Sequence, residues 1–269
     1  MKYQQRKPSE RIWKIGEKPI VLAHRAGGNE APENSFAAFM KMEQLGFSYI
    51  ETDAHATKDG VVILFHDPVL DRTTNGHGMV SNYTWEELTD VHDESGNSPV
   101  RLDEVLARFP DLILNIDAKN FKVVRPLARV IREKNALRRV SLSSFNETRL
   151  KMLRRMLPGV VTSLGQGAMA LLLLQSKLPR RLQKFVDRLV PGVAQGAQAI
   201  QVPCVFAKIN IVTPQLIDLC HRRGQAVHVW TVNEADEMLR LLKMGVDAII
   251  TDEPSLARRV INFYWDGAY

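Results

Sequence analysis

Glu51-Thr52-Asp53-Ala54-His55-Ala56-Thr57-Lys58-Asp59-Gly60-Val61-Val62-Ile63-Leu64-Phe65-His66-Asp67 reads as a strand, a tight turn and a returning strand. The acid/base side chains Glu51, Asp53 and His55 alternate with Thr52, Ala54 and Ala56, so a period of two sends all three to one face. Lys58-Asp59-Gly60 is a turn signal, with Gly60 free to take a positive φ. The returning arm then brings His66 roughly opposite Asp53. Carboxylates and a histidine crowded together cost desolvation and repulsion unless a cation or a substrate charge is near. The bland alternative is a solvated hairpin carrying scattered charge; the segments around it argue for a site.

Outward from this hairpin, strand-like runs alternate with helical ones, the pattern of a mostly parallel α/β fold. Residues 20–24, 49–55, 112–118, 139–144, 160–164, 199–202, 226–231 and 248–251 read as strands. Residues 35–45, 102–108, 123–134, 146–156, 213–223 and 234–244 read as helices. Eight strands with intervening helices predict a single (β/α)8 barrel of the TIM type, with 61–66 as an extra hairpin arm after strand 2. The barrel is expected over 19–269, preceded by an N-terminal extension over 1–18. In such barrels chemistry gathers at the C-terminal ends of the strands. His24 ends the first strand, Glu51 and Asp53 lie late in the second, Asp117 ends the third, Trp230 ends the seventh and Asp252 follows the eighth.

Composition agrees with one ordinary globular domain: 269 residues, 45% hydrophobic and 25% charged. Two cysteines, Cys204 and Cys220, make no disulfide framework and read as free buried thiols in a reducing cytoplasm. The polar start lacks the apolar core of a secretory signal, and the longest strongly apolar run, 168–174, is too short to span a bilayer. A net charge of +6 favours anionic partners. No recognition motif supports nucleic acid, and a phosphodiester substrate accounts for the charge equally well.

Upstream of the hairpin runs His24-Arg25-Ala26-Gly27-Gly28-Asn29-Glu30-Ala31-Pro32-Glu33-Asn34-Ser35. With the Glu-x-Asp hairpin and His66-Asp67, it resembles the glycerophosphodiester phosphodiesterase family. Asn115-Ile116-Asp117-Ala118-Lys119, Val229-Trp230-Thr231-Val232-Asn233 and Ile250-Thr251-Asp252-Glu253-Pro254 follow in the family's order. The likeness spans about residues 19–256. Three positions depart from the usual pattern: Ala26 stands for Gly, Ser35 for Thr and Asp117 for Glu.

The resemblance implies metal-dependent hydrolysis of glycerophosphodiesters to glycerol 3-phosphate and an alcohol. Glu51, Asp53 and Asp117 are hard oxygen ligands suited to one divalent cation, Mg2+ or Ca2+. Pairing of these acids with Arg25 or Lys119 is the competing role. His24 and His66 suit general acid and base work near neutral pH. Arg25 offers a planar fork to the phosphate and Lys119 a compact charge. Trp230 walls the pocket or fills the barrel core. By the same resemblance a neighbouring glycerol hydroxyl attacks first and a cyclic phosphate is then opened by water; direct water attack is the other route.

The remaining residues carry weaker signals. His55 contacts substrate or is a solvated hairpin histidine. Asn34 reads as the N-cap of the helix over 35–45, with Glu33 holding the loop. Gly27 and Gly28 present N–H groups to phosphate or permit a turn. His221 and His228 read as surface residues of a helix and a strand. Leu182, Phe185, Val186 and Leu189 follow helical spacing beside Arg181, Lys184 and Arg188, in a long connection expected on the C-terminal face. That helix packs on the barrel or meets lipid headgroups, which would give a peripheral membrane contact and make lysolipids the substrate of a lysophospholipase D. A barrel kept for binding alone is the rival of another class.

Overall fold

In a computed structural model, which describes Trp13 and residues 15–267, eight parallel strands form a nearly closed ring. In chain order they are Ile20–Ala23, Tyr49–Ala56, Ile113–Ala118, Val140–Ser143, Val161–Thr162, Ala199–Pro203, Ala226–Trp230 and Ala248–Thr251. The first pairs with the last in the register Ile20↔Ala248, and the second with the third in the register Asp53↔Asp117. Between the fifth and sixth the ring is held by a single bridge, Thr162↔Ala197, flanked by Thr162 N donating to Gly196 O at 2.8 Å. This is the expected α/β barrel.

Helices enclose it, and their apolar faces meet the outward residues of the strands in two large cores. One gathers around the first four strands, with Phe39, Leu114 and Leu127; the other lies around the last three, with Ile200, Leu216 and Ile249. Side-chain caps set several helix starts. Asn120, Asn146 and Thr213 each accept a backbone N–H of the first turn of Phe121–Glu133, Glu147–Met156 and Pro214–Arg222. The helix after the first strand, Phe36–Gln44, is capped by Ser35, whose Oγ accepts from Ala38 N at 3.0 Å. The cap expected of Asn34 is thereby corrected. Asn34 takes φ 55 and turns its amide inward, where Oδ1 accepts from Thr52 Oγ1 at 2.7 Å.

Inside the ring, character changes along the axis. The N-terminal end is lined by small residues, Ala199, Ala226 and Ala248, and Trp13 fills the space they leave. Trp13 is 2% exposed and meets His228 edge to face at 4.6 Å. Of the N-terminal extension expected over 1–18, residues 1–12 and 14 lie outside the described residues. His228, read as a strand-surface residue, is fully buried beside Trp13, because its position on the seventh strand points inward. Towards the C-terminal end the inward positions become Asn115, Ser141 and Gln201, linked by hydrogen bonds of 2.8 and 3.1 Å, and then the charged groups of the site.

The hairpin arm Val62–Leu64 runs antiparallel to the second strand and is joined by Val100–Arg101. Its register pairs Ala54 with Leu64, and Phe65 N donates to Asp53 O at 3.0 Å. His66 therefore lies one residue past the position opposite Asp53. The intervening segment has its own small core of Ile63, Phe65, Leu70, Val80, Leu88 and Val91.

The long connection after the fifth strand departs from expectation. The helix Gln166–Ser176 starts at the C-terminal face and descends. The basic helix Arg180–Asp187 then lies at the opposite end of the barrel. There Arg222 donates to Gln183 Oε1 at 3.0 Å, and Arg223 pairs with Asp187 just before the seventh strand begins. Its place over the active face is thus corrected: the preceding helix spends the whole length of the barrel returning. An unanticipated hairpin, Val205–Phe206 with Ile209–Asn210, follows the sixth strand instead, with Val205, Phe206 and Ile209 all more than half exposed.

Candidate active site

At the C-terminal end of the ring opens a cavity of about 510 Å³. Its floor is polar and includes His24, Arg25, Glu51, Asp53, His66, Asp117 and Lys119; its wall is apolar, with Met169, Leu173, Phe206 and Ile211. His24, Arg25, Glu51, Asp53, His66, Asp117, Lys119 and Trp230 all line this one space, whereas His55, Gly27 and Gly28 do not. Trp230 serves both of its readings: it lines the cavity, edge to face on Phe145 at 5.9 Å, and packs against the small core inside the ring.

The turn after the first strand is wound tightly. Arg25 and Ala26 take φ 50 and 61, the left-handed region, at a cost on the order of 1 kcal/mol each for non-glycine residues. The N–H groups of Gly27 and Gly28 both donate to His24 O, at 2.8 and 3.1 Å, so of their two readings the turn is the one this geometry serves. The tight winding carries His24 over Glu51, with His24 Nε2 3.8 Å from Glu51 Oε2.

Both histidines are held from behind by a carboxylate. His24 Nδ1 donates to Asp252 Oδ1 at 2.6 Å, and Asp252 Oδ2 accepts from Asn233 Nδ2 at 2.9 Å. His66 Nδ1 donates to Asp67 Oδ1 at 2.6 Å. Each ring thus keeps Nε2 for the cavity. Burial works against charge on His24, but the Asp252 hydrogen bond and the charge of Glu51 outweigh it, and the imidazole stays above its ordinary range. His55 is not solvated and does not line the cavity. It is buried, donates Nε2–H to His66 O at 3.2 Å and accepts from Asn120 at Nδ1 at 3.1 Å, so it fixes the backbone of its neighbour.

The three acids come from two adjacent strands. Lys119 Nζ lies 2.7 Å from Asp53 Oδ1 and 3.1 Å from Asp117 Oδ2, so the ammonium takes the space between them. Arg25 Nε is 3.8 Å from Asp53 Oδ2. With Lys119 so placed, no group of three or more His, Cys, Asp and Glu among the described residues is arranged to hold a metal ion. Yet the acids are under-compensated. Asp117 Oδ1 is buried with no hydrogen-bond partner. Burial, with repulsion from Asp53, pushes the Glu51 carboxyl up to about 7. Burial and the same repulsion raise Asp117 against the pull of Lys119. An oxygen-only donor set, one orphaned oxygen and residual repulsion fit a hard divalent cation.

Asp252, expected at the end of the eighth strand, backs His24, and Glu33, expected to hold the loop, accepts from Arg25; Asp67 and Asn233, which carry no role in the sequence reading, back His66 and hold Asp252. The pairing of His24 with Asp252 joins residues at opposite ends of the chain, and no local pattern announces it.

In sequence and in fold the chain is similar to known proteins. The family model described as the glycerophosphoryl diester phosphodiesterase family matches residues 24–256. The protein named "Probable glycerophosphodiester phosphodiesterase 2" of Mycobacterium tuberculosis is 36% identical over 252 residues, 93% of this chain and 94% of that one. The glycerophosphodiester phosphodiesterase of Caldanaerobacter subterraneus is 34% identical over 251 residues, covering 88% and 95%. Among solved structures, a phosphodiesterase of Oleispira antarctica in complex with the product sn-glycerol-3-phosphate superposes with a TM-score of 0.73 at 22% identity, covering 91% of this chain and 97% of that one.

Proposed function

This chain belongs to the glycerophosphoryl diester phosphodiesterase family and is a glycerophosphodiester phosphodiesterase; on that premise we propose that it releases glycerol 3-phosphate by histidine acid/base catalysis at a divalent-metal site. The observation that carries the reading is the convergence of two carboxylate-backed imidazoles, two cations and three acids on one cavity floor. Glu51, Asp53 and Asp117 would hold the ion, Mg2+ or Ca2+. Bound there, it supplies Lewis-acid stabilisation of phosphoryl charge.

The residues themselves supply the rest. Arg25 and Lys119 bind the phosphate oxygens and stabilise the charge that builds on them. One histidine removes the proton of the attacking oxygen, a neighbouring glycerol hydroxyl or water, through Nε2, and the other donates a proton to the departing alkoxide; where the hydroxyl attacks, water then opens the cyclic phosphate to glycerol 3-phosphate. Asp252 and Asp67 hold each Nδ1–H, so each Nε2 is aimed inward. The Trp230 ring walls the side where the alcohol portion leaves. The cytoplasm is the proposed location; Cys204 and Cys220 are free thiols.

A second reading, hydrolysis of lysolipids by the same chemistry, is favoured by the apolar wall of Met169, Leu173, Phe206 and Ile211. A panel of glycerophosphodiesters assayed for glycerol 3-phosphate with Mg2+, Ca2+ and Mn2+, and after chelation, tests the first reading. Turnover should vanish on chelation and return with a divalent ion; full activity without added metal would refute metal dependence. Glycerophosphocholine against lysophosphatidylcholine, each above and below the lipid's micellar concentration, separates the two substrates.

A further inference from the structure

We infer that Arg72 is a positioning residue that aligns His66 and Arg25 on one substrate, through Asp67 and Glu33. The inference rests on the reading of His66 and Arg25 as reacting groups. Arg72 is not part of the cavity wall and lies on no barrel strand. All three nitrogens of its guanidinium nevertheless donate to a carboxylate. Nε donates to Asp67 Oδ2, Nη2 donates to Glu33 Oε1 at 2.6 Å, and Nη1 donates to Glu33 Oε2 at 3.1 Å.

Each of these carboxylates has its second partner inside the site. Asp67 Oδ1 holds His66 Nδ1 at 2.6 Å, and Glu33 Oε2 holds Arg25 Nη1 at 3.0 Å. The result is one chain, His66–Asp67–Arg72–Glu33–Arg25, in which carboxylates alternate with nitrogen groups. It ties the loop after the first strand to the arm after the second, the two segments that carry a proton-transfer group and a phosphate group. A planar fork gives Glu33 two bonds while Nε reaches Asp67; an ammonium has the charge without that geometry.

Magnitudes decide what this chain is for. The Arg72 side chain is 46% exposed, and ion pairs so solvated add about 0–1 kcal/mol to stability. Misplacing a reacting group by about 1 Å costs on the order of 10²-fold in rate. The contribution to alignment therefore exceeds the contribution to folding. Both carboxylates stay ionised to do it. Burial would raise Glu33 and Asp67, but the hydrogen bonds from Arg72 lead the forces that hold each below its ordinary range.

The test compares wild type, Arg72→Ala, Arg72→Lys, His66→Ala and the Arg72→Ala/His66→Ala double variant, on glycerophosphocholine with saturating divalent ion. Arg72→Ala should lower kcat on the order of 10²-fold and raise KM through Arg25, with Tm within about 4 °C of wild type. Arg72→Lys should recover only a small part of kcat. In the His66→Ala background the added Arg72→Ala should cost clearly less in kcat than it does in wild type, because the ring it orients is gone, while the share that acts through Glu33 and Arg25 remains. Should Arg72→Ala fail to fold, Arg72→Lys carries the same cycle. A kcat for the folded variant within about threefold of wild type, or a full loss repeated in the His66→Ala background, overturns the inference. Wild-type turnover in His66→Ala would instead remove the underlying reading of His66, and this inference with it.

Discussion

At the residue scale, the site is a set of charges whose partners decide their use. Asp252 is the clearest case. It accepts from His24 Nδ1 at 2.6 Å and is itself held by Asn233, so Asp252→Asn should leave the barrel intact while kcat falls on the order of 10²-fold or more. Steady-state kinetics beside a thermal melt decide it; a rate close to wild type would mean that His24 is oriented by something else. Asp117 is the complementary case. Asp117→Asn is nearly isosteric, and the native Oδ1 has no hydrogen bond to lose. Calorimetric titration with Mg2+ or Ca2+ should show affinity weakened by about tenfold or more, with little change in unfolding. An unchanged titration removes Asp117 from the ligand set. Glu51, Asp53, His66 and Asp117 were readable because strand alternation is local and puts chemistry at fixed spacing. Asp252 and Arg72 were not, since their roles are defined by partners reached only after folding. Asn34 was misread because Asn and Ser in succession are both good caps, and only the backbone shows that Asn34 takes the left-handed turn while Ser35 starts the helix.

At the element scale, Trp13 and the seventh strand close the barrel's N-terminal end. Trp13→Ala empties a buried site against Ala199, Ala226 and Ala248 and should destabilise by about 3–5 kcal/mol in urea unfolding. Phe185→Ser on the basic helix should stay within about 0.5 kcal/mol, since that ring is 75% exposed and far from the cavity. Equal effects would contradict the two packings. Inside the same end, burial drives His228 from 6.5 down to about 4, against the opposing charge of Asp247. The unfolded chain therefore binds a proton that the folded chain refuses. Stability contributed by neutral His228 is complete above the unfolded value and is lost as pH falls from about 6.5 to 4, on the order of 3 kcal/mol in all. His221, paired with Asp247 at 2.8 Å, has its imidazole raised by that hydrogen bond and acts in the opposite direction, so the measurement is a difference. His228→Leu should show a shallower loss of stability over this range than wild type; parallel curves would show that His228 takes up its proton as readily in the fold as in the unfolded chain. The hairpin after the sixth strand escaped sequence reading for a related reason. Its tip is Ala207-Lys208, both at positive φ, where the usual signal is Asn-Gly.

At the scale of the whole molecule, alternation of strand and helix was enough to read a barrel, because each unit is local and repeats. What alternation could not say was which end a connection reaches. The helix Arg180–Asp187 has the right amphipathic spacing for a lipid-facing lid, yet it sits at the end opposite the cavity, because one more helix intervenes. Its apolar residues record solvent exposure at a remote surface. The same global view gives a prediction about integrity. Ile20 pairs with Ala248 and Ala23 with Thr251, so the ring is incomplete until the eighth strand arrives. A chain ending at residue 247 should retain every proposed acid, cation and histidine of the floor yet fail to give a soluble, cooperatively unfolding product; a monomeric truncation with a sharp melt would show that the remaining strands suffice. During synthesis this pairing has a clock. At about 5–20 residues per second, the first strand waits on the order of 10–50 s on the ribosome for its last neighbour. Through that interval a nascent chain displays an open strand edge, the geometry that invites a neighbouring polypeptide to pair. Its passage through translation therefore depends on how long that edge stays shielded, a demand set by ring closure and independent of how stable the finished enzyme is.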